Sequence, residues 1–240
     1  MAKNGNEAHH GDGGYGALDS KTLGLDHFRA YDLVAQSVDF EVALRGQFER
    51  KREYRKHRLV SLEHFSNPVD KNGEGRFEDF AHLNWYTLEP TSEPERSVSI
   101  ANQIGKQELL LGDPEQLLVP TEKFEKGSRM SENLDHFKCY RVTEGVTPAA
   151  SGLHLDDQFL VSERIRLEMP LFFCVPVEKR YIHGVEEIRN EKTHLTIYRI
   201  SAREHSTRRR VKDQFDEYGL TMLSTAMLAV PSLKLAWGEL

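Results

Sequence analysis

Cysteine is nearly missing from this 240-residue chain, which holds two. That excludes the disulfide framework on which small secreted folds depend. No apolar run approaches the roughly 18 residues of a membrane-spanning helix. The opening stretch from Met1 to His10 lacks the apolar segment of a signal peptide. An excess of positive charge is missing too. The formal net charge is -6, which argues against bulk affinity for nucleic acid while leaving room for local basic patches. No nucleophile elbow, P-loop, dinucleotide-binding glycine motif, zinc spacing or HExxH occurs. These absences lead to the expectation of a cytoplasmic protein, secreted only if a leader has been removed, with no cofactor, no metal and no membrane partner. Helical periodicity is also scarce, and its best stretch is 203–219.

What is present is internal repetition. A heptad of the form His, apolar, polar, variable, Tyr, variable, apolar occurs four times. It begins at His27, His82, His136 and His194, and its fifth residues are Tyr31, Tyr86, Tyr140 and Tyr198. A second block follows and contains Gln47, Gln103, Gln158 or Gln214. Apolar residues stand three before each Gln (Leu44, Ile100, Leu155, Val211) and five before it (Val42, Val98, Leu153), with Arg209 as the exception. Spacing by two marks a strand with one buried face. Immediately before each Gln stands Gly46, Asn102, Asp157 or Asp213. These residue types tolerate left-handed backbone, so a bulge or tight bend is expected there. A third block closes each copy with Pro-x-x-Lys, from Pro68 to Lys71, Pro120 to Lys123, Pro176 to Lys179 and Pro231 to Lys234. Proline cannot donate to a ladder and belongs at a strand end or edge.

Three blocks in one order, four times over, predict an all-β chain. Four diverged three-strand repeats (27–81, 82–135, 136–193 and 194–240) would form one closed pseudo-fourfold assembly, propeller-like, with no open sheet edge. The alternative is two small β-barrels or sandwiches of two repeats each. Residues 25–240 would make up this domain. Residues 1–24, polar and glycine-rich, read as a flexible or partner-bound arm.

The stretch His136-Phe-Lys-Cys-Tyr-Arg141, with Asp157-Gln-Phe159, Phe173 to Val177, and Ser66-Asn-Pro-Val-Asp-Lys-Asn-Gly-Glu74, resembles tandem-repeat domains of unknown function in bacterial, often secreted, proteins. The resemblance implies no activity. The cysteine positions of that pattern are both filled only in the third copy, by Cys139 and Cys174. Across the copies these two places hold Ala30 and Ser66, Trp85 and Leu118, and Ile197 and Ala229. All are apolar or small, so Cys139 and Cys174 are expected on neighbouring strands with their side chains in contact, bonded or not according to compartment.

Several features invite a chemical reading. Four recurring histidines could converge on a metal. Each recurs with its Tyr, Gln and Lys, however, so an architectural role within its own repeat is the expectation. Asp70 to Ala81 imitates a calcium loop, but Ala81 stands where a bidentate Glu is required, and a glycine-rich turn explains the same letters. The basic runs Arg50 to Arg58 and Arg208-Arg209-Arg210 could bind an anion, or serve as solvated loops. The reading that follows is a non-enzymatic structural or protein-interaction subunit, partnered by another protein or by its own copies. Its alternatives are a binding module for a small or anionic ligand (glycan, phosphate) on the loop face, and an enzyme whose active site carries no motif.

Overall fold

The computed structural model describes residues 18–50, 53–147, 151–161, 163–181 and 184–240. A helical turn, α1 (Ser20–Leu23), precedes eleven strands. Copy one contributes β1 (His27–Arg45) and β2 (Arg55–Lys71). Copy two contributes β3 (His82–Leu88), β4 (Arg96–Asn102) and β5 (Gly105–Lys123). Copy three contributes β6 (His136–Glu144), β7 (Ser151–Asp156), β8 (Glu163–Tyr181) and the short β9 (Gly184–Glu186). Copy four contributes β10 (Thr193–Lys212) and β11 (Glu217–Glu239). The expected three strands per copy therefore fuse into two in copies one and four. Pro90 and Pro94 interrupt the path from block one to block two in copy two, and Gly145 does so in copy three. Copies one and four have neither residue type there, so the strand runs on. The helical candidate at 203–219 is strand, the arms of β10 and β11. Its alternation buries Val211 and Tyr218 under tertiary contacts that override weak helical periodicity.

Eight strands close on themselves, all antiparallel, in the order β1, β2, β3, β5, β6, β8, β10, β11 and back to β1. Each copy supplies two neighbours, its block-one strand and its block-three strand. The ring passes through all four copies, and successive copies are hydrogen-bonded to one another. It therefore lacks the separate blades of a propeller. Register is identical in the four copies: Ala30 faces Ser66, Trp85 faces Leu118, Cys139 faces Cys174, and Ile197 faces Ala229. All of these but the buried Ser66 form, with Phe28, Leu83, Phe137 and Leu195, an apolar cluster that fills the ring. An eight-stranded ring is about wide enough for side chains to fill.

The prolines mark an exchange of partners. Each block-three strand pairs with the next copy up to two residues before its proline, at Ser66, Leu118, Cys174 and Ala229. From one to three residues after the proline it pairs instead with a hairpin from the opposite copy. Lys71 joins β7, Lys123 joins β10, Lys179 joins β1, and Ser232 onward joins β4. The missing N–H falls where the strand passes from one partner to the other. The hairpins themselves are block two and its return. Register shifts in β1 (Asp32 to Gln36) and β10 (Arg199 to Arg203) let these strands leave the ring and bend over its outside.

One end of the ring is plugged. Leu25, Ala81 and Leu134 join the interior cluster. The carboxylate of Asp26 accepts from the backbone N of Phe77 (2.6 Å) and Glu78 (2.8 Å), and Asp135 does the same for Arg189 (2.8 Å) and Asn190 (2.9 Å). α1 packs here too: Thr193 Oγ1 donates to Leu23 O at 2.8 Å. The expected arm thus ends in an ordered turn, while residues 1–17 lie outside the described residues.

Candidate functional site

Along each block-one strand, residues one, three, five and seven of the heptad face outward beneath the hairpins, and residues two, four and six face the interior. The outward set includes nearly every residue type that recurs. Tyr31 donates to Asp157 Oδ2 (2.7 Å) and Tyr86 to Asp213 Oδ2 (2.5 Å), while Tyr198 accepts from Asn102 Nδ2 (3.0 Å). Each bond joins opposite copies. Tyr140 faces Gly46, which has no side chain, and Glu49 substitutes. Its Oε2 accepts from Gly46 N at 2.6 Å, and its Oε1 binds Lys138 and lies 3.5 Å from Tyr140 Oη. The Gly/Asn/Asp set therefore does not reflect left-handed backbone. Among the described residues Asn72 alone, outside glycine, has positive φ. The Asn and Asp side chains instead accept the N–H two residues on, at Ile104 (2.9 Å), Phe159 (2.7 Å) and Phe215 (2.8 Å).

The third heptad residue matches its neighbour in charge. Buried Arg29 meets Asp157 and Glu163 (both 3.5 Å), and buried Lys138 meets Glu49 and Glu93. Buried Asn84 donates to Asp213 (2.7 Å), and buried Thr196 meets Ser232 (2.8 Å) beside Asn102. Burial raises the Asp213 carboxyl above the usual carboxylate range, although Tyr86 and Asn84 donate to it.

The recurring Gln reaches back to the junction of the preceding copy, whose His and Lys stand side by side. Bonding within the repeat (His136 to Lys179) is thus joined by bonding between successive copies. His194 lies 3.1 Å from Gln47 Oε1, and Lys234 binds the same Gln47. His136 Nε2 accepts from Lys179 (3.1 Å) and Gln214 (3.0 Å). Gln103 reaches Glu74 (3.0 Å), the partner of Lys71 (2.5 Å). Lys123 lies over the ring of Phe159, while the neighbouring Gln158 is exposed. His27 bonds Ser20 at 2.9 Å. Burial first, then a neighbouring lysine, lowers the pKa of His27, His82 and His194 to about 3, and holds His136 well below its ordinary value. Burial also brings Lys179 and Lys234 down to about 8. Each histidine thus occupies its own junction on the outside of the ring, and the four do not share a centre.

The other expected residues are placed as follows. Cys139 and Cys174 are joined as a disulfide inside the ring. Asp70 accepts from Gly75 N (3.1 Å), and Asn72 Oδ1 from His154 N (2.9 Å), so the calcium-like letters form a turn that docks on β7. Arg208 and Arg210 are exposed on one face of β10, and Arg209 turns to the other, over Phe159 and 3.6 Å from Glu125. In the first basic run, Lys51 and Arg52 lie outside the described residues.

The open end of the ring holds a set of residues that sequence reasoning missed. Heptad residue six points inward: Asp32, Thr87, Arg141 and Arg199. Across the ladder from them stand His64, Gln116, Phe172 and Met227, each four residues before its proline. These eight line a cavity of about 510 Å³ above the apolar interior, with Glu63 and Glu115 at its edge. His64 Nδ1 lies 3.1 Å from Asp32 Oδ1, and Ser224 donates to Asp32 Oδ2 at 2.8 Å. Burial raises the Asp32 pKa, but these two bonds outweigh it and hold the carboxyl below its usual range. Arg141 is clamped by Glu115 (3.0 and 2.6 Å) and stacks on Phe172 at 4.5 Å. Gln116 donates to Thr87 Oγ1 at 3.2 Å. Arg199 is exposed and forms no hydrogen bond or ion pair with the described residues. The available signal was parity: residues two and four of the heptad are apolar and inward, so a polar residue six is inward as well.

A family described as "Repeat of unknown function (DUF7450)" matches residues 82–231. No curated protein and no solved structure matches the chain. Among the described residues, no helix is long and apolar enough to cross a membrane.

Proposed function

Because the chain belongs to this family of repeats of unknown function, we propose that it acts as a non-enzymatic binding module that takes a small polar ligand in the open mouth of its strand ring. One observation supports this above the rest. Two of the three inward layers are apolar, and the third, at the open end, gathers Asp32, His64, Thr87, Gln116, Arg141 and Arg199 around a cavity of about 510 Å³. That volume lies within the range of small-molecule sites, where a few polar groups converge over an apolar floor. The recurring outward residues hold copy to copy and leave the mouth free to vary.

The test is a thermal-shift screen of small polar compounds against the native chain and Ala226→Trp, which places an indole in the mouth. Compounds that stabilise the native chain and not the variant support the reading. Stabilisation equal in both, or in neither, overturns it.

A second reading, an interaction subunit, is favoured by Leu235 and Trp237, exposed by 49% and 42% on β11 beyond its pairing with β10. Native mass measurement tests it: a stable oligomer that Trp237→Ser disperses supports it, and a monomer at working concentration refutes it.

A further inference from the structure

The chemistry of the mouth narrows its ligand, on the premise that the mouth is the ligand site. Around the ring, Arg141 and Arg199 flank Phe172 on neighbouring strands, while Asp32, His64, Thr87 and Gln116 occupy the other arc. Asp32 on β1 stands four strands from Arg141 on β6, and Thr87 on β3 stands four strands from Arg199 on β10. The two arcs are therefore diametrically opposed. The two guanidinium groups are not equivalent. Arg141 is held by both oxygens of Glu115 and by the face of Phe172, so its charge is already offset. Arg199 has no partner among the described residues. An uncommitted guanidinium beside a cavity suits a planar, two-oxygen anion, which it grips through two parallel N–H donors.

Three carboxylates, Asp32, Glu63 and Glu115, border the same space. Against them a dianion such as a phosphate monoester gains less than a single negative charge does, because each added charge also meets like charges. The floor under Arg199 is apolar, made by Phe172 and Met227, both nearly buried. The far arc offers hydrogen-bonding groups at His64, Thr87 and Gln116. Gln116 is 6% exposed, and its Oε1 has no partner.

We propose that the mouth binds a hydroxylated monocarboxylate of about monosaccharide size, an acidic sugar in chemical class. Its carboxylate sits on Arg199, its body on Phe172 and Met227, and its hydroxyls face Thr87, His64 and Gln116. The neutral sugar lacks the group that Arg199 requires, and the sugar phosphate carries one charge too many.

Isothermal titration of the full chain with glucuronate, galacturonate, glucose and glucose 6-phosphate tests this. The Trp85 indole N–H signal serves as a local reporter, since His64 lies 5.6 Å from that ring. At least one uronate should bind tenfold or more tighter than glucose and tighter than the phosphate, and should shift the Trp85 signal. Arg199→Gln should weaken the uronate about tenfold while leaving the weak glucose affinity unchanged, and Arg199→Lys should restore part of the loss. Equal affinity for uronate and glucose, both blocked by Ala226→Trp, would overturn the carboxylate assignment and leave the mouth as the site. Binding that ignores Ala226→Trp would overturn both. The absence of binding by either uronate, with the Trp85 signal unmoved, would overturn this proposal, and the wider screen would then decide the mouth.

Discussion

Tyr86 and Asp213, 127 residues apart in sequence, share a hydrogen bond of 2.5 Å that joins diagonally opposite copies. Tyr31 and Asp157 repeat it on the other diagonal at 2.7 Å. The two bonds look alike and differ in their surroundings. Asp157 is faced by the Arg29 guanidinium, whereas Asp213 is faced by the neutral amide of Asn84.

That difference predicts unequal responses to the same change. Asp157→Asn removes charge from beside a buried cation and should cost about 3 kcal/mol. Asp213→Asn leaves no cation stranded. Asn84 Oδ1 has no partner, so its amide can turn to accept from the new Asn. The cost should stay within about 1 kcal/mol. Urea unfolding of both variants checks this, and equal losses would contradict the charge-matching account.

Two residues of copy one break the apolar pattern of their repeat positions. His57 pairs with Val42 at the place held by Leu109, Ile165 and Leu220 in the other copies. Asn67 stands one before its proline, where the other copies have Val119, Val175 and Val230. Both are buried, and their side-chain nitrogens, with the Asn67 oxygen, lack hydrogen-bond partners. His57→Leu and Asn67→Val should each stabilise the fold by about 1 kcal/mol, because an unsatisfied buried polar group is replaced by one of fitting shape. Thermal melts decide, and a lower midpoint in both variants would mean that these groups serve the fold.

Acid should unfold the protein through its four junction histidines. Their folded pKa values lie below the ordinary 6.5, at about 3 for His27, His82 and His194. The unfolded chain therefore binds more protons than the folded one as pH drops below 6.5. Stability is full above that pH and falls as pH declines toward 3, by up to about 1.4 kcal/mol per histidine per pH unit. Asp26, raised to about 6 by burial, acts in the opposite sense, as do Asp135 and Asp213, which burial also raises. His57, lowered to about 4, adds to the four histidines, so five groups stand against three. Urea midpoints from pH 7.5 to 4.5 should decline steadily. A flat profile would mean that the histidines are charged in the fold.

Reducing Cys139–Cys174 should lower stability by about 2–4 kcal/mol, the range for a link closing a loop of this size (sequence separation 35). The ring should persist, because the other three copies fill the same register with Ala30 and Ser66, Trp85 and Leu118, and Ile197 and Ala229. Circular dichroism of Cys139→Ala/Cys174→Ala should match the native spectrum at 20 °C; loss of strand signal would show that the link is required for folding.

Most of the repeat was legible because period two and proline carry register: the pairing of the third copy's cysteines follows from spacing alone. The closure was not. A hairpin from copy one reaching Lys179, or Gln47 reaching His194, depends on which copies become neighbours and which become opposites, and no local pattern encodes that. The mouth was hidden for a different reason. Repetition draws attention to residues that recur in every copy, whereas Asp32, Thr87, Arg141 and Arg199 share an address without a common residue type.

The diagonal bonds have an arithmetic consequence. Opposite members exist only in a ring with an even number of copies. Removing one copy, or adding one, would leave every hairpin without an opposite strand end to join and every tyrosine without its acid or amide. A linear array of repeats can gain or lose a unit at small cost, since each unit touches only its neighbours. Here the smallest change in copy number that preserves the pairing rule is two. Duplication of a half, rather than of a quarter, is the step by which a chain of this design can change length.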